Sequence, residues 1–351
     1  MNLECVEKIA EAVLYEGYML YPYRASNVKN RQRWNFGVLY PRSHCERQCG
    51  SDSWMTQTEC LLQTDLPTQL DIEIRFLQIV NRSVGKLSHP LRRFSHSKEA
   101  EIEVVDKLVV DGQRFTSWQE AIERKVKLAT LHPTAIALQR QRDFEFPSKR
   151  ELELIRSRDG DIQGVIIREW KRLTGAVEVK LQRCPHSLTK ITVRLRNLTA
   201  EPRVPDSHAD VLMHSLVSAH TILGAEGGQF LSLLDPPANF KYLAAECVNL
   251  GTWPVLVGEE GAHVMLSSPI ILYDYPQIAP ESPGNLFDGT EIDEILSLRI
   301  LAMTDEEKSE MRQSDERTRQ ILERTESMPP EQFMKLHGVL RGLRASVEEA
   351  P

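Results

Sequence analysis

The sequence predicts an α+β protein: an antiparallel β-sandwich-like body with an N-terminal helix, one central helix and a C-terminal run of short helices. Three observations predict it. Apolar residues recur at helical spacing near the start of the chain. Short alternating strands separated by turn dipeptides fill the middle, without the strand–helix alternation that a doubly wound sheet requires. Helix-capping patterns then succeed one another after Thr290. The chain divides accordingly into three parts. Residues 1–65 form a helix and an aromatic, basic, irregular segment; 66–285 form a β-rich body with a helix near 207–223; and 286–351 form a helical region.

In the first part, Val6, Ile9, Ala10, Val13 and Leu14 mark one face of an amphipathic packing helix. Glu4, Glu7, Glu11 and Glu16 interrupt the segment where an export signal is uninterruptedly apolar. The aromatic stretch follows: Tyr15, Tyr18, Tyr21, Tyr23, Trp34, Phe36, Tyr40 and Trp54. Such rings bury area while their polar tips stay wet, which suits either a packed loop over the body or a recognition surface.

In the body, Leu70, Ile72, Ile74 and Phe76 alternate with polar residues as a half-buried strand does, continuing to Val80. Asp111-Gly112 between Val104–Val110 and Gln113–Trp118 predicts a hairpin, and Asp159-Gly160 predicts a turn between Glu151–Arg156 and Ile162–Trp170. Strands are also predicted at Ala176–Leu181, Ile191–Leu195, Leu243–Val248, Val255–Val257 and Met265–Tyr273. Asp206-Ser207 caps the central helix, whose stripe is Leu212, Leu216, Ala219 and Leu223. Gly224 to Gly228 is its glycine-rich C-terminal stop. After the proline-rich connector 276–283, Thr290 with Asp293 and Thr304 with Glu307 form capping boxes, and Pro329-Pro330 opens a last helix ending near Leu343.

Composition narrows the function classes. With 41% hydrophobic and 26% charged residues the 351-residue chain is globular, and no apolar run approaches the roughly 18 residues of a membrane span. Six cysteines are too sparse for a secreted disulfide scaffold, so the expected compartment is the cytoplasm. A net charge of −7 argues against nucleic acid as the main partner. From Pro22 to Gly50, Arg24, Lys29, Arg31, Arg33, Arg42 and Arg47 face a single acid, Glu46. From Glu281 onward sixteen acids face nine bases.

Each candidate site has a structural alternative. His44, Cys45, Cys49 and Cys60 suit zinc or iron chemically, but paired CxxC knuckles are absent and free cysteines fill ordinary cores. Cys184 and His186 could form a nucleophilic dyad only if they met in space. His208, His214 and His220, six apart on one helix, point about 120° from one another and cannot share a metal. Asp288, Glu291, Asp293 and Glu294 could hold a cation, but they suit a helix start electrostatically and lack the calcium-loop pattern. No Gly-Lys-Ser/Thr phosphate loop, GxGxxG, GxSxG or HExxH pattern occurs.

Three stretches carry a family resemblance: Ser267–Pro276 (SSPIILYDYP) with Ala279–Gly284 (APESPG); Leu286–Leu296 (LFDGTEIDEIL); and Tyr21–Asn30 with Trp34–Gly37. They resemble a family of bacterial proteins encoded beside NiFe-hydrogenase genes, and together suggest that most of the chain is covered. The resemblance implies an accessory, assembly or maturation role, with hydrogenase subunits or maturation factors as partners. No catalytic residues are established for that family, so it transfers no site.

The resulting expectation is a non-catalytic accessory protein that binds a protein partner through Tyr21, Tyr23, Arg24, Asn27, Arg33 and Trp34, residue types that interface hot spots favour. The alternatives are a metal-handling factor using Cys45, Cys49 and Cys60, and an enzyme built on Asp274 or His263.

Overall fold

The computed structural model describes residues 4–16, 23, 36–48, 50–64, 67–94, 102–133, 137–201, 204–258, 263–277, 284, 286, 293–314, 316–329, 331–332 and 336. It has mixed α and β structure with antiparallel sheets. Two helices come first, α1 (Glu4–Leu14) and α2 (Arg42–Gln48). Eleven strands follow: β1 (Met55–Gln63), β2 (Gln69–Leu91), β3 (Ile102–Val105), β4 (Lys107–Val110), β5 (Gln113–Thr116), β6 (Trp118–Lys127), β7 (Ala137–Phe146), β8 (Lys149–Arg156), β9 (Ile162–Trp170), β10 (Leu173–Cys184) and β11 (Leu188–Asn197). Then come α3 (His208–Leu212), β12 (Val217–Glu226), β13 (Gln229–Phe230), α4 (Lys241–Ala245), β14 (Trp253–Leu256) and β15 (Val264–Ser268), and last α5 (Asp293–Leu301), α6 (Asp305–Ser314) and α7 (Glu316–Glu326).

One sheet has the order β13-β1-β11-β10-β7. The other runs β14-β15-β12-β2-β9-β8, with β3 and β6 also paired to β2. The 23-residue strand β2 organises this second sheet: β12 and then β9 follow one edge, β6 and then β3 the other. Both sheets contribute to a single core cluster: Leu62, Val177 and Val193 from the first, Ile72, Phe76 and Leu223 from the second. The opposite side of β2 presents Leu77 and Ile79 to Leu212, Leu296, Ile300, Met311 and Ile321, so α3 and the C-terminal helices cover it. On the same sheet Val6, Ile9 and Val13 of α1 pack on Ile222, Val255 and Leu266.

This double cover explains the main correction. The predicted helix 207–223 is one short helix, α3, followed by a strand: Val217–Glu226 is β12, buried without a break from Val217 to Ala225. A strand covered on both faces reads as a continuous apolar run rather than an alternating one. The glycines after it are therefore no helix stop. Gly227, at φ +77°, turns the chain from β12 into β13, where an added Cβ would meet the Pro67 carbonyl.

Other elements also differ. Part of the predicted irregular stretch of residues 1–65 is helix α2 and strand β1; β1 is rich in buried Thr and carries no apolar alternation. The predicted strand 243–248 is helical at its start: Pro236-Pro237 launch a 3-10 turn and then α4, which bury Phe240 and Leu243 against Leu61, Leu188 and Leu231. Strand β15 stops at Ser268, before Pro269, which has no N–H for the ladder. The predicted hairpin forms over β4 and β5, with Asp111 and Gly112 both at positive φ; residues 102–105 pair with β2 instead. Thr304 and Glu307 close their capping box reciprocally. Thr290 and most of the predicted last helix lie outside the described residues. Among the described residues no helix is long and apolar enough to cross a membrane.

Candidate functional site

Of the six predicted partner-binding residues, Tyr23 alone is described; Tyr21, Arg24, Asn27, Arg33 and Trp34 lie outside the described residues. Tyr23 is wholly buried, at φ +55°, and its hydroxyl donates to the Leu286 carbonyl at 2.8 Å. In this fold it is a core residue. The predicted metal ligands are dispersed. Cys60 is wholly buried in the core shared by the sheets, where burial raises its thiol pKa well above the ordinary value. Cys45 packs against the helix-side cluster; burial, followed by the Asp52 charge, pushes it up to about 11. Cys49 is outside the described residues. No group of three or more His, Cys, Asp or Glu among the described residues is disposed to hold a metal.

The three histidines do not share a helix. His208 opens α3, His214 follows it, and His220 lies wholly buried on β12. Cys184 ends β10 and His186 lies in the turn that follows, where His186 and Ser187 both have positive φ; no hydrogen bond joins the two, and Cys184 packs beside Leu188. Asp293 and Glu294 begin α5 as predicted, while Asp288 and Glu291 are outside the described residues. His263 Nδ1 lies 2.5 Å from the Gly228 carbonyl and so ties down the turn after β12.

A polar cleft of about 420 Å³ opens between α2 and the segment leading into α3, lined by His44, Arg47, Asp52, Asp206, Ser207 and His208 among others. His44 is buried with Nε2 3.3 Å from Asp52 Oδ2, and the Tyr40 ring lies 5.1 Å from His44 and 6.1 Å from His208. Burial, then the Asp52 charge, pushes the Tyr40 hydroxyl to about 12. Arg47 is committed to Glu201 at 2.6 Å, and Ser207 is committed to capping α3 through Asp210. The described side chains thus supply an imidazole–carboxylate pair able to move a proton, but no activated nucleophile.

A second feature is apolar and lies around strand β14. Trp253 stands opposite Ser268 of β15. The chain then rounds that end of β14 and returns beside Leu256, whose N–H donates to Asp274 Oδ1 at 2.8 Å and whose carbonyl accepts the Tyr275 N–H at 2.7 Å. Asp274 Oδ2 also accepts the Ser232 hydroxyl at 2.5 Å, and Ser232 Oγ in turn accepts the Leu234 and Asp235 N–H groups. Around this clasp Leu234, Trp253, Ile271 and Tyr273 stand 56%, 43%, 71% and 87% exposed.

The neighbouring loop 246–250 is pinned just as firmly. Glu59 accepts the Val248 N–H at 2.9 Å and the Lys190 ammonium at 2.6 Å, Lys190 donates to the Glu246 carbonyl, and Leu250 and Gln57 exchange backbone hydrogen bonds. Val248 and Leu250, in the loop that leads into β14, are exposed.

No family model and no curated protein matches the chain. The two features therefore stand on their geometry. Sequence reasoning named Tyr40, His44, His208 and Asp274 but assigned them other roles, and it missed Asp52, Trp253 and Tyr273. A signal for the second feature was present, since Ile271, Tyr273 and Asp274 lie within SSPIILYDYP, where Ile270 and Leu272 pack inward and Ile271 and Tyr273 point out.

Proposed function

We propose that this chain is a non-catalytic accessory protein that acts by binding another protein, and that Leu234, Val248, Leu250, Trp253, Ile271 and Tyr273 form its docking surface. One observation carries the reading: these large apolar side chains are exposed on backbone held by Asp274 and Glu59. Exposed apolar clusters mark interaction surfaces. A backbone already fixed loses little further entropy when a partner docks. A sandwich-like body, for which the core cluster common to both sheets speaks, supplies the rigid support.

The resemblance carried by SSPIILYDYP and its neighbours names the partner class as NiFe-hydrogenase subunits or maturation factors in the cytoplasm. The test is co-purification of those proteins with the tagged chain and with a Trp253→Ala/Tyr273→Ala variant. Recovery with the native chain and loss with a folded variant supports the reading. Failure to recover them with the native chain, or undiminished recovery with the variant, removes it.

The His44–Asp52 cleft favours a second reading, a small-molecule site with acid–base capacity. The metal-handling alternative, with zinc or iron on Cys45, Cys49 and Cys60, gains nothing from the placement of Cys45 and Cys60 in different core clusters.

A further inference from the structure

Strand β7 is the outermost strand of its sheet. Over its whole length, Ala137–Phe146, it pairs with β10 on one side and with no described strand on the other. Gln139, Arg140, Gln141, Arg142 and Asp143 are all exposed along it. Its acids are already engaged: Glu145 is gripped by Arg172 through both oxygens at 2.8 and 2.7 Å, and Asp143 accepts the Gln141 amide at 2.8 Å. Gln139 donates to Glu178 at 3.0 Å, and Gln141 accepts Arg196 at 2.9 Å.

Arg140 and Arg142 are different. Neither makes a hydrogen bond or an ion pair with any described residue, and strand alternation sets both on the side from which Leu138, Phe144 and Phe146 reach the core. The outermost strand β8 of the other sheet shows the contrast. There Lys149 pairs with Glu151 at 2.7 Å and Arg150 with Glu169 at 3.0 Å, so its cations are satisfied internally. Among the described residues, the β7 edge thus combines a long row of unpaired backbone groups with two free guanidiniums two residues apart.

We propose that the free edge of β7 accepts an extended acidic segment of a partner protein as an added strand, with carboxylates two residues apart meeting Arg140 and Arg142. Backbone hydrogen bonds supply affinity in such strand addition, and the side chains that alternate along one face supply selection. Opposite charges directly across a ladder attract and like charges repel, so a basic strand is rejected. A second copy of β7 is rejected for the same reason: antiparallel pairing centred on Gln141 sets Arg140 against Arg142, and centring on Arg142 sets that residue against itself. This surface is separate from the apolar one around Asp274, so either assignment can fail alone.

The test uses the full chain and a fluorescently labelled, capped ten-residue peptide alternating Glu and Thr, with a Lys–Thr peptide of equal length as control. Anisotropy is expected to show saturable binding of the acidic peptide alone, weakened at least about tenfold in an Arg140→Glu/Arg142→Glu variant. Amide exchange is expected to slow across 137–146 when the peptide is bound. Absence of binding, equal binding of the Lys–Thr peptide, an unchanged affinity in the double variant, or protection confined to another region would each overturn the assignment.

Discussion

Arg75 of β2 stands directly opposite His220 of β12. His220 Nδ1 lies 3.0 Å from the Ser218 carbonyl, and its Nε2 has no hydrogen-bond partner among the described residues. Arg75 is buried among Glu73 at 2.5 Å, Glu7 of α1 at 3.4 Å and Glu123 at 3.8 Å. Burial is the main cause that lowers the His220 pKa from 6.5 to about 4, and the Arg75 charge adds to it.

The sign of the resulting pH dependence follows. The unfolded chain takes up a proton near pH 6.5, whereas the folded chain resists until about pH 4. The contribution of neutral His220 is therefore complete above pH 6.5 and is lost as pH falls from 6.5 towards 4, on the order of 3 kcal/mol in all. Urea midpoints measured from pH 7 to 4 should fall more steeply for the native chain than for His220→Gln. Parallel curves would exclude the histidine as the cause.

Glu59 is the buried carboxylate that holds loop 246–250. Burial alone would raise its pKa, but Lys190, the Val248 N–H and the Thr192 hydroxyl together keep it below the ordinary range. Replacing it by Ala leaves the Lys190 ammonium largely buried without its carboxylate. A loss of about 3 kcal/mol by urea denaturation is expected, the usual cost of breaking a buried pair from one side. Glu59→Gln, which keeps the shape and an acceptor, should cost less.

Removal of the Asp274 carboxylate should free one segment without unfolding the body. Asp274→Ala deprives the Leu256 N–H and the Ser232 hydroxyl of their acceptor. Proteolysis between residues 268 and 276 should become faster than in the native chain, with a stability loss of about 1–3 kcal/mol. A digestion pattern unchanged from the native one would show that the clasp is dispensable.

Two tyrosines should behave oppositely. Tyr23→Phe removes a buried hydrogen bond to Leu286 and should lower stability by about 1 kcal/mol. Tyr273→Ala, at an exposed position, should change stability by less than about 0.5 kcal/mol. Thermal melts of the two variants decide between core and surface roles directly.

The parts legible in the sequence were those whose physics is local. Leu70, Ile72, Ile74 and Phe76 alternate because one side of β2 meets the other sheet. Asp111-Gly112 and Asp159-Gly160 reverse the chain because their glycines sit at positive φ. Strand β12 was read as helix because α1 and the core bury both its faces; β6 was missed because its charges are answered across neighbouring strands, and β7 because its polar residues 139–143 lie exposed along an outer strand. Nothing in the spacing of His44 and Asp52, or of Asp274, Leu256 and Ser232, reveals that they meet. Those pairings depend on how the chain returns to itself.

The reach of β2 also governs how the molecule can be made. A ribosome releases Gln69–Leu91 early, yet its neighbours β9 and β12 begin only at Ile162 and Val217. About 125 residues separate the end of β2 from the start of β12, roughly 6–25 s of translation at usual rates. For that interval a long apolar ribbon waits with an unmatched side. Newly made chains should therefore depend on chaperone protection, and slower elongation should lower the soluble yield before any property of the finished fold comes into play.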